Sequence, residues 1–244
     1  NAQGRNVTGY NNGNPLQAFT QWWQTQLDVD RLKEFAVQSN GRQQTWNPLG
    51  AIVDGDNNLI RFDHRPNFFD NPYWVRQNYL QEDSRDRIIG GASVNYDIGG
   101  GFSILGRVGT DFYNTHAVTG IPIESVETSL FQERELSFNE TNMEARFSYR
   151  RNLTDRLSLF TFVGANRMRQ RNYDFTAETA GGLALDRFYN ISNSKAAPTL
   201  TTREFIKGIN SAYGSASFGW DNWLYLDVTA RNDWSSTLPD ANNS

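Results

Sequence analysis

Charged side chains recur at alternate positions in several stretches of the chain after residue 86. They belong to Arg107, Asp111, Glu144, Arg146, Asp227, Arg231 and Asp233. Apolar residues occupy the positions between them, and a period of two places the two sets on opposite faces of a β-sheet. A face with so many full charges is typical of a surface in contact with water, such as the wall of a water-filled channel. The carboxylates are scattered, and no two are spaced as a general acid and base, so the pattern does not predict an enzyme.

The stretches that carry these charges are predicted to be six strands joined in three hairpins. Tight turns at 99–101, 152–155 and 221–222 close the hairpins, and long polar segments at about 114–141, at about 170–207 and beyond 237 follow them. Each predicted strand has about 10–12 residues, close to the ~9–11 that a tilted strand needs to cross a bilayer. Short turns at one end and long loops at the other are typical of outer-membrane β-barrels, whose turns face the periplasm. The sequence therefore predicts an all-β fold, part of a large antiparallel transmembrane barrel.

The alternation also predicts which side chains face the membrane. We expect one apolar set to point away from the barrel axis: Val94, Val108, Phe147, Leu159, Phe218 and Leu226. We expect a polar set to point inward: Asn95, Arg107, Arg146, Tyr213 and Arg231. Aromatic residues near the tight turns, namely Tyr96, Phe102, Tyr149 and Trp220, match the girdle at a membrane interface. A soluble antiparallel sheet with one wet face is the alternative.

Composition is compatible with this fold and excludes several other classes. The 244 residues carry a net charge of −4 and contain no cysteine, so neither a disulfide framework nor a thiolate metal site is expected. The sequence contains no basic stripe of the kind that binds nucleic acid. It also contains no stretch of about 18 apolar residues, so a transmembrane helix is not predicted. The first residue is Asn1 and no signal peptide is visible, although an outer-membrane protein is exported. We therefore expect an internal part of a longer polypeptide.

Residues 1–85 are expected to form an extracellular loop segment with a short helix. Asn14-Pro15 offers a helix start, and Leu32 with Phe35 predicts a second helical turn. The rest of this segment, from residue 41, is expected to be mostly loop. Candidates for the outer vestibule or for contact with a partner protein are Trp22, Trp23, Trp46, Asn71 and Trp74. Simple packing of the loops is the alternative role for these side chains.

Other patterns that could carry chemistry are weak. Asp54 to Asn58 alternates oxygen ligands as a calcium loop does, but Leu59 occupies the position of the required glycine and Arg65 that of the bidentate glutamate. A turn is therefore the better interpretation. His64 and His116 have no ligand pattern near them, so no metal or cofactor is predicted.

Several segments of the chain form a recognisable series of motifs. In chain order they are Asn14-Pro-Leu with Gln21-Trp22-Trp23-Gln24 and Leu27-Asp28, then Asn71-Pro72-Tyr73-Trp74 followed by Asp86-Arg87, then RVGTDFY at 107–113, then YNISN at 189–193 with NSAYG at 210–214, and finally YLDVTARNDWSSTLP at 225–239. This series resembles the SusC/RagA family of TonB-dependent outer-membrane transporters. The resemblance implies a ~22-stranded barrel with a plugged lumen, of which this chain holds about six strands. It also implies import of glycans or peptides, a SusD-like surface lipoprotein as partner, and energy supplied through TonB.

Three hypotheses of function follow. A fragment of such a transporter in the bacterial outer membrane, in contact with membrane lipid, explains the turns, the girdle and the motifs. A soluble β-sandwich that binds glycans would explain the alternation but not the charge-rich second face. A glycoside hydrolase would explain the aromatic and acidic residues, but no catalytic pair is visible. With six strands, two sheet edges would remain unpaired in lipid, which costs several kcal/mol for each open backbone group, so neighbouring strands are expected.

Overall fold

The structure is a computed structural model that describes residues 27–38, 41–221 and 223–239. These residues form two α-helices, eight strands and one 3-10 helix. The elements are α1 (Val29–Glu34), β1 (Pro48–Val53), β2 (Leu59–Pro66), α2 (Pro72–Asn78), β3 (Leu80–Gly99), β4 (Phe102–Ile121), β5 (Leu130–Asn152), β6 (Leu157–Leu183), the 3-10 helix (Ile191–Asn193), β7 (Ser194–Trp220) and β8 (Leu224–Ser235). No helix in this described part is long and apolar enough to cross a membrane.

The main sheet has six strands in the order of the sequence, β3-β4-β5-β6-β7-β8. The β7–β8 pair is antiparallel without a register shift, from Trp220 opposite Leu224 to Ile209 opposite Ser235. Gly99, Gly100 and Gly101 all have positive φ, so the β3–β4 turn uses a conformation that glycine adopts at low cost. The three predicted hairpins are thus confirmed, and β3 and β8 are the edges of the sheet as described.

The strands are much longer than the sequence predicts. β6 and β7 have 27 residues each, and β5 has 23. The expected loop at 114–141 shrinks to residues 122–129, and the one at 170–207 to residues 184–193. The prediction was wrong because these outer stretches are polar on both faces. Hydrophobic periodicity is absent there, although the backbone still forms its ladder of hydrogen bonds.

The segment before the main sheet also contains more regular structure than predicted. The helical turn near Leu32 is confirmed as α1, capped by the Asp28 carboxylate, which accepts hydrogen bonds from the Asp30 and Arg31 amides. The hairpin β1–β2 and the helix α2 replace expected loop. The β3 strand begins at Leu80, so the predicted boundary at 85/86 falls inside a strand. The helix predicted near Pro15 lies outside the described residues.

The turn of the β1–β2 hairpin accounts for the acidic run at 54–58. One Asp54 carboxylate oxygen accepts hydrogen bonds from the Asp56 amide at 2.9 Å and the Asn58 amide at 2.8 Å. Those contacts hold the pKa of the Asp54 carboxyl below its ordinary value, the Asn58 amide contributing most. The carboxylate therefore stabilises a turn.

The chain forms two compact units. The first, here called the loop unit, comprises residues up to 84 together with 116–135 and 175–201, and the second, the strand unit, comprises 85–115, 136–174 and 202 onward. In the loop unit the buried apolar residues include Leu32, Trp74, Val75, Phe131 and Leu183. In the strand unit the side chains divide between the two faces of the sheet.

Candidate functional site

One face of the strand unit carries a chain of polar contacts, and we call it the polar face. The Arg107 guanidinium on β4 lies 3.6 Å from the Glu144 carboxylate on β5. The Tyr213 hydroxyl on β7 donates a short hydrogen bond to the same carboxylate. The Arg231 guanidinium on β8 lies 5.8 Å from the centre of the Tyr213 ring and 3.0 Å from Asp233. One glutamate thus links side chains from strands that are not neighbours.

The Tyr213 side chain reaches Glu144 by lying across β6. A Cβ atom added to Gly164 on β6 would fall 2.5 Å from Tyr213 Cζ, closer than real contacts allow. Only glycine leaves room for the ring to lie flat on the backbone of this strand. The Phe162 ring meets the Tyr213 ring edge-on at 6.0 Å, and the Arg146 guanidinium lies 5.2 Å from the centre of the Phe162 ring. The polar face is therefore held by aromatic packing as well as by charge.

The remaining charged candidates lie on the same face in smaller groups. The Arg87 guanidinium holds the Asp111 carboxylate through two nitrogens, at 2.9 and 2.6 Å. Asp227 accepts a short hydrogen bond from the Ser217 hydroxyl directly opposite. The Arg146 Nε atom is buried and has no hydrogen-bond partner among the described residues. The seven predicted charged residues thus share one face, which is a necessary condition for their proposed role.

The opposite face, here called the apolar face, is exposed. The Phe102 ring contacts Phe147 and Tyr149 at centroid distances of 5.5 and 4.4 Å near the tight turns. On β8, Leu226 is 59% exposed and Val228 55%, and Val94 on β3 is 69% exposed. Large apolar side chains in such numbers are normally covered by protein or lipid.

The loop unit contains a buried polar cluster around Asp70. One Asp70 carboxylate oxygen accepts hydrogen bonds from Gln43 Nε2 at 2.6 Å and the Val126 amide at 2.9 Å. The other accepts from the Tyr79 hydroxyl at 2.9 Å and the Ser125 hydroxyl at 2.6 Å. Burial raises the pKa of the Asp70 carboxyl above its ordinary value, because loss of hydration outweighs the hydrogen bonds that stabilise its charge. The cluster connects three segments that are distant in sequence.

Asn71 extends this cluster and starts α2. Its Oδ1 atom accepts a hydrogen bond from the Tyr73 amide, as an N-cap does, and Pro72 follows at the first helical position. Its Nδ2 atom donates to the Leu32 and Gln44 carbonyls at 3.0 and 2.7 Å. Asn71 is fully buried, so its observed contacts are those of a packing residue.

The tryptophan candidates differ in their placement. Trp74 is fully buried, with an edge contact to Tyr79 at 6.2 Å, and its indole Nε1 lacks a hydrogen-bond partner among the described residues. Trp46 is half-buried in the loop unit. Trp22 and Trp23 lie outside the described residues.

The surface of the loop unit contains a groove of about 510 Å³ beside the β1–β2 hairpin. Its charged lining is Arg42, Arg61, Asp63, Arg65 and Glu124. The Arg65 guanidinium holds the Asp63 carboxylate at 2.7 Å and lowers its pKa to about 2. Both signs of charge thus border a surface that also carries apolar side chains. Among the described residues, no three histidine, cysteine, aspartate or glutamate side chains are grouped as a metal would require.

Sequence reasoning missed the central residues of the loop unit, namely Gln43, Asp70, Tyr79 and Ser125. Asp70 was detectable in principle because it directly precedes Asn71-Pro72, which has the same helix-start signal as Asn14-Pro15. Gln43 and Ser125 carry no such signal. Their hydrogen bonds to the cluster span 27 and 55 residues of sequence, which no local pattern encodes.

Comparison with known proteins supports the fold. No family model matches the chain, and no curated protein matches it either. Among solved structures, the chain is similar to the "RagAB peptide transporter" with a TM-score of 0.65 and 16% identity, covering 84% of this chain and 22% of that one. Similar structures of the "RagAB peptide importer" in its "open-open" and "closed-closed" states have TM-scores of 0.65 and 0.63, each with 18% identity. The chain spans less than a quarter of the length of these transporters. Its six-stranded sheet has the fold of a segment of their barrel, which confirms the fold implied by the resemblance to the SusC/RagA family.

Proposed function

We propose that this chain is part of a TonB-dependent transporter in the bacterial outer membrane that imports nutrients. The observation that carries the proposal is the sharp contrast between the two faces of one sheet. The polar face carries a connected network from Arg107 to Asp233, and the apolar face leaves large side chains such as Val94 exposed. A water-filled lumen would hydrate the polar face, and lipid would cover the apolar face.

Residues 1–85, nearly all of which belong to the loop unit, are proposed to lie on the extracellular side. The tight turns that close the three hairpins would then face the periplasm. The Asp70 cluster gives this unit a rigid frame, because its hydrogen bonds join residues from three separate segments. Such a frame would hold the groove residues Arg42 and Glu124, which adjoin Gln43 and Ser125 of the cluster, in a fixed geometry.

For the substrate we propose oligopeptides, with oligosaccharides as the alternative that the experiment tests. Two observations favour peptides. The similar solved structures are named as peptide transporters, and the groove of the loop unit offers both arginine and carboxylate side chains, which suit a zwitterionic chain. The proposed partners are a SusD-like surface lipoprotein at the outer mouth and TonB, which would act through parts of the protein beyond this chain.

The membrane assignment is tested by labelling single cysteines in the full-length protein. The 244 residues contain no cysteine, so no background reaction arises from them. In outer membranes, Thr229→Cys on the polar face should react with a small water-soluble maleimide, and the adjacent Ala230→Cys on the apolar face should not. Equal reaction at both positions would contradict the assignment and favour a soluble glycan-binding module.

The transport assignment is tested separately in the native bacterium. Deleting the gene should abolish accumulation of labelled oligopeptides, and a protonophore should have the same effect in the wild type. Deleting the gene of the proposed SusD-like lipoprotein should lower uptake at low peptide concentration. Loss of oligosaccharide uptake with normal peptide uptake would overturn the substrate assignment, and unchanged uptake of both would overturn the transport function.

A further inference from the structure

Three arginines form a row on the apolar face of β6. Arg167, Arg169 and Arg171 alternate with Met168 and Gln170. Within the same strand, Gly164 lies under the Tyr213 ring, and Asn166 Nδ2 donates to the side-chain oxygen Oδ1 of Asn142 at 2.6 Å, so the even positions belong to the polar face. The odd positions, and with them the arginines, therefore lie on the opposite face. We call these three residues the arginine row.

Arg167, the first residue of the arginine row, is as many residues from the start of its strand as two aromatic side chains of the same face are from the starts of theirs. Arg167 is ten residues beyond Leu157, the start of β6. Phe112 is ten residues beyond Phe102, and Trp234 is ten residues beyond Leu224. Ten residues extend about 33 Å along a strand, which at a tilt of about 40° corresponds to a height of about 25 Å.

That height equals the apolar band of an outer-membrane barrel, which is about 25 Å tall. On the described strands β6, β7 and β8, the apolar face carries no charged side chain between the tight turns and this level. Arg167 is the first. The level of Phe112, Arg167 and Trp234 therefore corresponds to the outer boundary of the apolar band.

The charge of the row is only partly neutralised. Arg171 Nε lies 2.5 Å from a Glu204 carboxylate oxygen on β7. Neither Arg167 nor Arg169 forms an ion pair with any side chain that the structure describes, and both are exposed. Two guanidinium groups, with Cα atoms about 7 Å apart, are thus available to an anion.

Grooves border the row on both sides. One has a volume of about 460 Å³ and is lined by Arg167, Arg169, Ile206, Asn210 and Trp234, among others. The second has a volume of about 620 Å³ and is lined by Phe112, Asn139, Thr141, Arg169 and Tyr173, among others. Each groove combines at least one arginine of the row with aromatic and amide side chains, which suits a ligand with an anionic head and an apolar body.

We propose that the arginine row binds the phosphate groups of a lipid in the outer leaflet of the membrane. Guanidinium groups bind phosphate through paired hydrogen bonds, and aromatic side chains such as Trp234 favour the headgroup level. The acyl chains of the same lipid would run along Val163 and Ala165, which lie on the apolar face below Arg167. This inference rests on the proposed membrane function. It adds a specific lipid site outside the transport path.

The test uses the full-length transporter in nanodiscs of zwitterionic lipid, with diphosphorylated lipid A as the probe. Binding is measured by native mass spectrometry for the wild type, for the double variant Arg167→Gln/Arg169→Gln, and for Arg203→Gln. Arg203 is an exposed arginine on the polar face, next to Glu204, and serves as the matched control. We expect the double variant to bind at least about tenfold more weakly and the control to bind as the wild type does.

Two further probes identify the ligand chemistry. Lipid A without its phosphates should bind the wild type at least about tenfold more weakly, because the guanidinium groups lose their anionic partners. Inorganic phosphate at the same concentration should not displace the lipid, because it lacks the acyl chains. Equal binding of both lipid forms, equal binding by the double variant, or displacement by inorganic phosphate would each overturn the proposal.

Failure of the membrane assignment, on which this inference rests, would give a different result. In that case the protein would not enter nanodiscs at all, and the Thr229 and Ala230 cysteines would be labelled alike. A wild type that inserts normally and binds lipid A without dependence on Arg167 and Arg169 would overturn the lipid site alone.

Discussion

Val228→Arg tests the two-sided environment of β8 most directly. Val228 lies four residues beyond Leu224, about 13 Å along the strand and about 10 Å above its lower end at the usual tilt. It pairs with Ala216 on the apolar face and is 55% exposed. If the apolar band is about 25 Å tall, this position is close to its middle.

The expected cost follows from that depth. An arginine at the lipid midplane of a barrel destabilises it by about 2–4 kcal/mol, and near the interface by about 0–1 kcal/mol. Val228→Arg and Ala230→Arg, which lie at similar distances from the middle of the band, should therefore be the most costly of a series, and Asn232→Arg, close to Trp234, the least. Thr229→Arg is the matched control. It pairs with Ser215 on the polar face, two residues from Asp227, and should cost less than about 0.5 kcal/mol.

The assay is guanidinium unfolding of the full-length protein refolded into lipid vesicles, with the free energy of unfolding taken from the midpoint and slope. The series should be graded by depth on the apolar face and flat on the polar face. Equal losses at Val228 and Thr229, or a loss at Asn232 as large as that at Val228, would refute the assignment of lipid and water to the two faces.

Three further predictions concern the contacts inside each unit, and all are measured on the full-length protein. Asp70→Asn places an amide donor against the hydrogen-bond donors of Gln43 and Ser125, so it should destabilise the loop unit by about 2–4 kcal/mol. This loss is measured by hydrogen exchange of residues 70–79. The control Asp54→Asn, in the exposed hairpin turn, should cost under about 1 kcal/mol. Because burial raises the pKa of Asp70, its folded form binds a proton more tightly than its unfolded form does. The stability of the loop unit should therefore fall as the pH rises from 3.8 through the raised pKa, and Asp70→Asn should remove this dependence; stability that rises over this range would contradict the sign. Gly164→Ala should cost about 1–3 kcal/mol in unfolding because the new Cβ displaces the Tyr213 ring, whereas Gly106→Ala, where nothing lies within 4 Å, should be nearly neutral; equal effects would refute the close packing.

The sequence was sufficient for the parts of the fold that obey a local rule. The tight turn at Gly99 to Gly101 and the division of side chains between the two faces are direct consequences of glycine conformation and of the two-residue period. The Asp54 turn and the helix near Leu32 also follow from short-range signals. Each of these features depends on residues fewer than about ten positions apart.

The parts that were not predicted depend on distant residues. No local pattern indicates that Gln43 and Ser125 converge on Asp70, or that the Tyr213 ring lies across Gly164 to reach Glu144. The hydrogen bond from Tyr213 to Glu144 spans 69 residues of sequence. Such contacts become visible only when the register of the strands is known, because a shift by one residue would exchange the two faces.

The underestimated length of the strands has a physical cause that bears on the membrane boundary. A tilted strand needs only about ten residues to cross the bilayer, and β6 has 27. Alternation is required only where one face meets lipid, since beyond that zone both faces meet water and polar residues are tolerated on either. The residue at which alternation ends should therefore mark the edge of the apolar band. On β6 that residue is Arg167, and on β7 the first polar side chain of the apolar face is Asn210, which pairs with Trp234. The loss of periodicity made the outer halves of these strands unpredictable from the sequence, and the same loss marks the outer edge of the lipid.

A nitroxide placed at Ala165 should be protected from a water-soluble relaxation agent, and one placed at Tyr173 should be accessible to it. Equal accessibility at both positions would show that the end of alternation does not mark the boundary.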